Sequence, residues 1–201
     1  MQKNNFSMPS SENGFVPTLN KQGYMATTLD YYMKQFISYA KSCKKPVVDI
    51  GAAYGIATIP SLETGANVIA VDLDERHLAI LEERVPHELK NQLTIKCCSF
   101  PEELHFNRNS IGAFLIARVV HFFSPVRLEK SVSLLYDWLA PEGKVFLTAE
   151  TPYLSNWESF IPIYEQRCVI GHPWLGYVDD VMKFAPKRGE NLPSSMLFLD
   201  P

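Results

Sequence analysis

Five short apolar runs recur through the middle of the chain, at residues 47–50, 67–71, 93–97, 113–117 and 144–149, and stretches of helical or turn character separate them. Residues 26–42 carry Leu29, Met33, Phe36, Ile37 and Ala40 at spacings of three and four, the mark of one helical face. A short helix is predicted over 56–63, weakened by Pro60 and ended by Thr64-Gly65. Asp74 suits the N-cap of a helix over 75–85, whose inner face is Leu78, Ile80, Leu81 and Val85. Ser124 followed by Pro125 opens another helix carrying Val126, Leu128, Val132, Leu135 and Leu139, and Pro141-Glu142-Gly143 closes it. Strands that alternate with helices predict an α/β fold: a doubly wound, mostly parallel sheet with helices on both faces and right-handed crossovers.

In such sheets ligands bind beyond the carboxyl ends of the strands, where strand order reverses. The first strand-to-helix turn reads Asp49-Ile50-Gly51-Ala52-Ala53-Tyr54-Gly55. Its small residues admit a ligand close to the backbone. Asp49 adds a negative charge, which disfavours a diphosphate, and Gly51 is followed by Ala53 and Ile56 where a dinucleotide loop has its second and third glycines. A cofactor with a cationic sulfonium and an ammonium group suits a carboxylate there. Twenty-three positions on, Asp72 ends the second strand and can accept from both hydroxyls of a ribose; otherwise it is a strand-end acid or a cap.

With these residues in hand, Val47 to Gly55 followed by Val71-Asp72-Leu73-Asp74 resembles the first two motifs of class I, Rossmann-like S-adenosylmethionine-dependent methyltransferases. The segments Ile116 to Pro125 and Trp138 to Lys144 are similar to that family's stretches after the fourth strand and before the fifth. The resemblance implies S-adenosylmethionine as cofactor and S-adenosylhomocysteine as product. It implies that Asp49, Gly51, Ala53 and Gly55 line the methionine moiety, that Asp72 holds the ribose and that Leu73 packs on the adenine. Cys98, Ser99 and Phe100 would meet the adenine edge, and Ala117 and Arg118 would lie under the sulfonium. Two departures stand out: Cys98 replaces an aspartate usual after the third strand, and Gly112 replaces one usual before the fourth. The family sheet has seven strands, whereas after residue 149 only 195–199 reads as a strand, so incomplete C-terminal strands are expected, in a shortened version of a longer relative or by design.

Methyl transfer asks mainly for alignment of acceptor and methyl. Where a base is needed, His121 is the candidate on pKa grounds, its alternative being a packing or surface histidine. Tyr153 either faces the acceptor or is an ordinary interface tyrosine. Arg118 contacts cofactor or an acidic acceptor, or serves as a structural ion-pair partner. Residues 152–180 are rich in aromatics, and Trp157, Phe160 and Tyr164 share a helical spacing. They form either a helix packed on the core or a lid over an apolar acceptor pocket. The domain reading is thus 1–22 flexible, 23–150 a Rossmann-like cofactor-binding core, and 151–201 an aromatic-rich lid or insertion.

The net charge of −3 and the scattered basic residues, whose tightest groups are Lys41-Lys44-Lys45 and Lys183-Lys187-Arg188, argue against a nucleic-acid partner. So does the lack of an Asn-Pro-Pro-Tyr-like motif after the fourth strand. Four cysteines without zinc spacing read as reduced thiols, and no metal is expected. No apolar run approaches membrane-spanning length, so the expectation is a cytoplasmic protein acting on a small-molecule or protein acceptor. An unpaired sheet edge would favour a homodimer. Two other readings stay open: a nicotinamide-dependent oxidoreductase, and a non-catalytic binding protein that keeps the cofactor fold.

Overall fold

The computed structural model describes residues 6–185 and 193–200. Residues 1–5 of the N-terminal segment, and Lys187 and Arg188 of the second basic group, lie outside the described residues.

Five strands form the central sheet: β3 (Val47–Ile50), β4 (Val68–Asp72), β5 (Leu93–Cys97), β6 (Ile111–Ala117) and β7 (Leu139–Thr148). Their order is β5-β4-β3-β6-β7 and every pairing is parallel. From β3 the chain first builds outward through β4 and β5, then returns to add β6 on its other side. The reversal opens a crevice at the carboxyl ends of β3 and β6, the position that binds ligands in doubly wound sheets.

Both faces are covered, which is why the strands read as continuous apolar runs. Helices α1 (Tyr31–Ala40), α2 (Thr58–Glu63) and α3 (Glu75–Arg84) cover one face, where Phe36, Leu62, Leu78 and Leu81 pack with Val47, Val68, Ala70 and Leu115. Helix α4 (Pro125–Trp138) covers the other, where Leu135, Trp138, Phe100 and Phe123 pack with Val48, Ile50, Phe114 and Ile116. Full burial of each such side chain is worth about 1.5–3 kcal/mol. The helix starts are chemically marked: the carboxylates of Asp30 and Asp74 accept from the N–H groups of Met33 and Arg76, and the Ser124 hydroxyl accepts from that of Arg127.

Two parts depart from the expected layout. Residues 15–26, which include the end of the stretch read as flexible, form a hairpin of β1 (Phe15–Pro17) and β2 (Tyr24–Ala26). The first helix accordingly starts at Tyr31 behind Asp30 rather than at 26. Beyond β7, helix α5 (Ile161–Ile170) and the antiparallel pair β8 (Tyr177–Val178) and β9 (Met196–Leu197) enclose a separate apolar cluster of Trp157, Phe160, Tyr164, Val178, Val181, Met196 and Phe198. The strand-like run at 195–199 therefore pairs outside the central sheet. Among the described residues β7 is an edge strand, with Val145 40% exposed.

Candidate cofactor site

The turn after β3 passes three times through left-handed backbone, at Gly51 (φ 76°), Ala53 (φ 44°) and Gly55 (φ 85°). Gly51 is exposed at the crevice, and a Cβ there would sit 2.4 Å from Val119 Cγ2. At Gly55 a Cβ would sit 2.0 Å from Leu81 Cδ1. Ala53 adopts the same sense of φ with a Cβ in place, at a steric cost of about 1–2 kcal/mol.

The amide hydrogens of this turn are directed inward. Those of Gly51 and Ala52 bond to the carbonyl of Val71 (2.8 and 3.0 Å), that of Ala53 to Asp72 Oδ2 (2.9 Å) and that of Gly55 to the carbonyl of Ala52 (2.8 Å). A diphosphate-binding turn instead offers its free N–H groups to the ligand. This turn has spent four of them on its own shape.

Two buried carboxylates sit beneath it. Asp49, at the end of β3, accepts a 2.6 Å hydrogen bond from Thr58 Oγ1. Burial pushes its pKa up to about 6; the Thr58 bond opposes the rise and the charge of Asp72 adds to it. Asp49 is therefore tucked under the turn toward α2, not open to the crevice as a direct lining residue would be. Asp72, at the end of β4, accepts from Ala53 N on Oδ2 and from Asp74 N (3.0 Å) on Oδ1, and its Oδ1 lies 3.1 Å from His77 Nδ1. Two carboxylate oxygens offer about four acceptor sites, so roughly one is left. Leu73 stands next to it, 55% exposed.

Sequence reasoning passed over His77. It lies five residues after Asp72 on the inner side of α3, buried, with its ring 5.1 Å from that of Tyr54. The available signal was a polar residue beside Leu78 within an apolar helical stripe.

After β5, the Cys98 N–H bonds to the carbonyl of Asp72, bringing this segment to the same end of the sheet. Ser99 donates from its backbone to Glu103 and from its hydroxyl to Glu102, and accepts from Arg127. The Phe100 ring is turned into the core against Phe123 and Trp138, which leaves its backbone as the part that could meet an adenine edge. Arg127 is clamped here by Ser99, the carbonyl of Phe100 and Glu102, with its guanidinium 4.4 Å from the Phe123 ring.

On the β6 side, Ala117 ends the strand half-buried. Arg118 follows in left-handed conformation (φ 59°), its N–H bonded to the carbonyl of Thr148 and its guanidinium over the Phe15 ring. His121 lies in a single 3-10 turn, Val120–Phe122, ahead of α4. It is buried, its ring 4.1 Å from Phe122, and its Nδ1 has no hydrogen-bond partner among the described residues. Burial pulls its pKa down to about 4, against the charge of Glu150 and with that of Arg118. The imidazole is thus neutral near pH 7 and keeps a basic lone pair.

Glu150 joins this region to the C-terminal part: its carboxylate accepts from Trp157 Nε1 (3.0 Å) and its carbonyl from Leu199 N–H. Trp157, Phe160 and Tyr164 point into their own cluster instead of lining an open pocket. Tyr153 is 49% exposed, edge-on to Tyr164. The turn, Asp72 and the end of β6 thus converge on one crevice, while Phe100 and Tyr153 are held by other clusters.

A doubly wound sheet of order β5-β4-β3-β6-β7, with a tight glycine turn at the switch point and a carboxylate at the next strand end, defines a Rossmann-like fold. Residues 47–143 match the family model described as a methyltransferase domain. An uncharacterized methyltransferase of Mycobacterium tuberculosis is 30% identical over 105 residues, covering 52% of this chain and 40% of the relative. The mitochondrial ubiquinone biosynthesis O-methyltransferase of Rattus norvegicus is 26% identical over 104 residues, 51% of this chain and 30% of that protein. The chain thus spans less than half the length of these relatives. Among solved structures, the glycopeptide N-methyltransferase MtfA in complex with S-adenosylmethionine shares the fold, with a TM-score of 0.50 and 20% identity over 56% of this chain and 50% of that one. No helix among the described residues is long and apolar enough to cross a membrane.

Proposed function

We propose that the chain binds S-adenosylmethionine in the β3/β6 crevice and transfers its methyl group to a small-molecule acceptor. The carrying observation is the turn at 51–55, whose N–H groups of Gly51, Ala52, Ala53 and Gly55 are bonded within the chain while Gly51 stays exposed. Four N–H groups of the turn are thus withheld from a diphosphate, which disfavours a nicotinamide dinucleotide, and the turn lies over two carboxylates that suit a cationic ligand.

The residues present fit that cofactor. Gly51 admits close approach, Asp72 keeps about one acceptor site for a ribose hydroxyl, and Leu73 offers an exposed apolar face beside it. Ala53 and Gly55 give the turn its shape, and Asp49 acts from below as a buried charge held by Thr58. Ser99 and the backbone of Phe100 form the edge beyond β5, and Ala117 and Arg118 form the floor at β6. When bound, S-adenosylmethionine supplies an electrophilic methyl on a good leaving group, so the protein's main task is alignment. His121 is the candidate base in this reading: it is neutral near pH 7 and its buried Nδ1 has no partner among the described residues, so it would take the proton of a hydroxyl or ammonium acceptor that reaches it. Tyr153, on the C-terminal part, would reach an acceptor only from outside the crevice.

Calorimetric titration with S-adenosylmethionine, S-adenosylhomocysteine and NAD tests the binding claim: the two adenosyl sulfur compounds are expected to bind and NAD is not. Release of S-adenosylhomocysteine over a panel of hydroxyl- and amine-bearing metabolites tests transfer. Binding without turnover on any acceptor would favour a non-catalytic cofactor-binding role on the same fold.

A further inference from the structure

The hairpin of residues 15–26 is fastened to both banks of the crevice. On the α3 bank the peptide groups of Leu19 are gripped by two side chains: its N–H donates to His77 Nε2 (2.9 Å), and its carbonyl accepts from Arg76 Nη2 (3.0 Å). Arg76 is itself fixed on the carboxylate of Asp74. The turn contributes Tyr54, whose hydroxyl donates to the carbonyl of Pro17 (2.9 Å) and whose ring packs with Val16. On the β6 bank, Phe15 lies under the Arg118 guanidinium at 5.4 Å, and Gly23 abuts Phe122 so closely that a Cβ would stand 3.3 Å from its Cζ. The hairpin therefore bridges the crevice from α3 to the segment after β6.

Among the described residues, His77 is the side chain that hydrogen-bonds both this bridge and the strand-end carboxylate. Because Nε2 accepts the Leu19 N–H, the ring proton resides on Nδ1 and is donated to Asp72 Oδ1. The imidazole thus links hairpin backbone to Asp72 through its two nitrogens, with its plane held edge-on by Tyr54.

We propose that His77 is a positioning residue that couples the seating of the N-terminal hairpin to the orientation of the Asp72 carboxylate, so that bridge and adenosyl site act as one unit. The claim about ligand rests on the cofactor reading above; the claim about coupling does not. A ligand that draws Asp72 into a fixed orientation fixes the His77 ring and with it the hairpin, and an unlatched hairpin leaves Asp72 one donor short or misaligned.

Amide hydrogen exchange over residues 15–26 in the ligand-free protein tests the coupling. His77→Phe keeps a ring beside Tyr54 but removes both bonds. His77→Asn keeps a donor near the Nδ1 position and loses the acceptor for Leu19. Both are expected to raise exchange in the hairpin at least tenfold while residues 47–50 and 68–72 stay protected. Asp72→Asn, which changes the carboxylate end of the link together with its bonds to the Ala53 and Asp74 N–H groups, is expected to raise hairpin exchange several-fold. Calorimetry with S-adenosylhomocysteine should show His77→Phe at least tenfold weaker than the wild type, with His77→Asn between them. Hairpin exchange unchanged in His77→Phe or in Asp72→Asn overturns the coupling. So does unchanged affinity in both His77 variants of a wild type that binds. A wild type that fails to bind S-adenosylhomocysteine overturns the cofactor reading instead, and the exchange of the Asp72 and His77 variants still decides the link.

Discussion

Asp49 and His121 are two buried ionisable residues whose effects on stability oppose one another. His121 titrates at about 4 in the fold against an ordinary value of 6.5, so between those values the unfolded chain holds a proton that the folded one lacks. Its contribution makes stability fall as pH drops through that window. Asp49 titrates at about 6 against 3.8, so the folded chain holds the extra proton between those values, and stability falls as pH rises. Over roughly pH 4–6 the two slopes cancel. Replacing Asp49 by Asn is expected to stabilise the fold above pH 6 and to expose a slope of about 1.4 kcal/mol per pH unit on acidification. Urea titrations of wild type and variant at pH 4.5, 5.5 and 7.5 measure it; a wild type as steep as the variant would contradict the assignment. Ala53 offers a second test at this scale. Its left-handed φ should make Ala53→Gly neutral to stabilising by up to about 1 kcal/mol, whereas Gly55→Ala should cost 1–3 kcal/mol through Leu81, both read from thermal melts. Catalytically, His121→Ala is expected to lower kcat at least a hundredfold with little change in cofactor affinity. A variant with normal kcat would return His121 to a packing role.

At the scale of elements, legibility followed the range of the signal. Strands β3 and β5 were readable to the residue, because a buried strand between turn residues leaves an uninterrupted apolar run. The capped starts of α3 and α4 were readable because Asp74 and Ser124 have a local job. Hairpin 15–26 was not readable: its stability comes from partners far along the chain, such as Leu19 with His77 and Phe15 with Arg118, and its apolar residues are too short a run on either side of polar 20–22 to signal strands. The aromatic stretch was half readable. The spacing of Trp157, Phe160 and Tyr164 announced burial, but their partners Val178 and Met196 lie on strands of two residues, and Phe198 just beyond one. The site divides the same way. Asp72 and the glycine turn follow from local motif, while the bond from Arg127 to Ser99, 28 residues apart, is tertiary. Element-scale dependence can be tested at Glu150, which anchors the C-terminal part through Trp157 and Leu199. Glu150→Ala is expected to make residues 151–200 the first to be cut in limited proteolysis while the core stays intact; Glu150→Gln, which retains an acceptor for Trp157, should be cut more slowly.

For the molecule as a whole, the edge strand β7 is the feature with consequences beyond one chain. Its outer side has no strand partner among the described residues and exposes Val145, an arrangement that invites pairing between copies. Concentration-dependent association in sedimentation velocity is the expected behaviour, abolished by Val145→Lys without loss of thermal stability. A wild type that stays monomeric at high concentration would show that the edge is protected by other means.

The inward amides of the turn at 51–55 carry a last implication for energetics. A turn that is already internally satisfied has its shape before any ligand arrives, so association there incurs little loss of conformational entropy. Any ordering cost of association then falls on groups outside the turn.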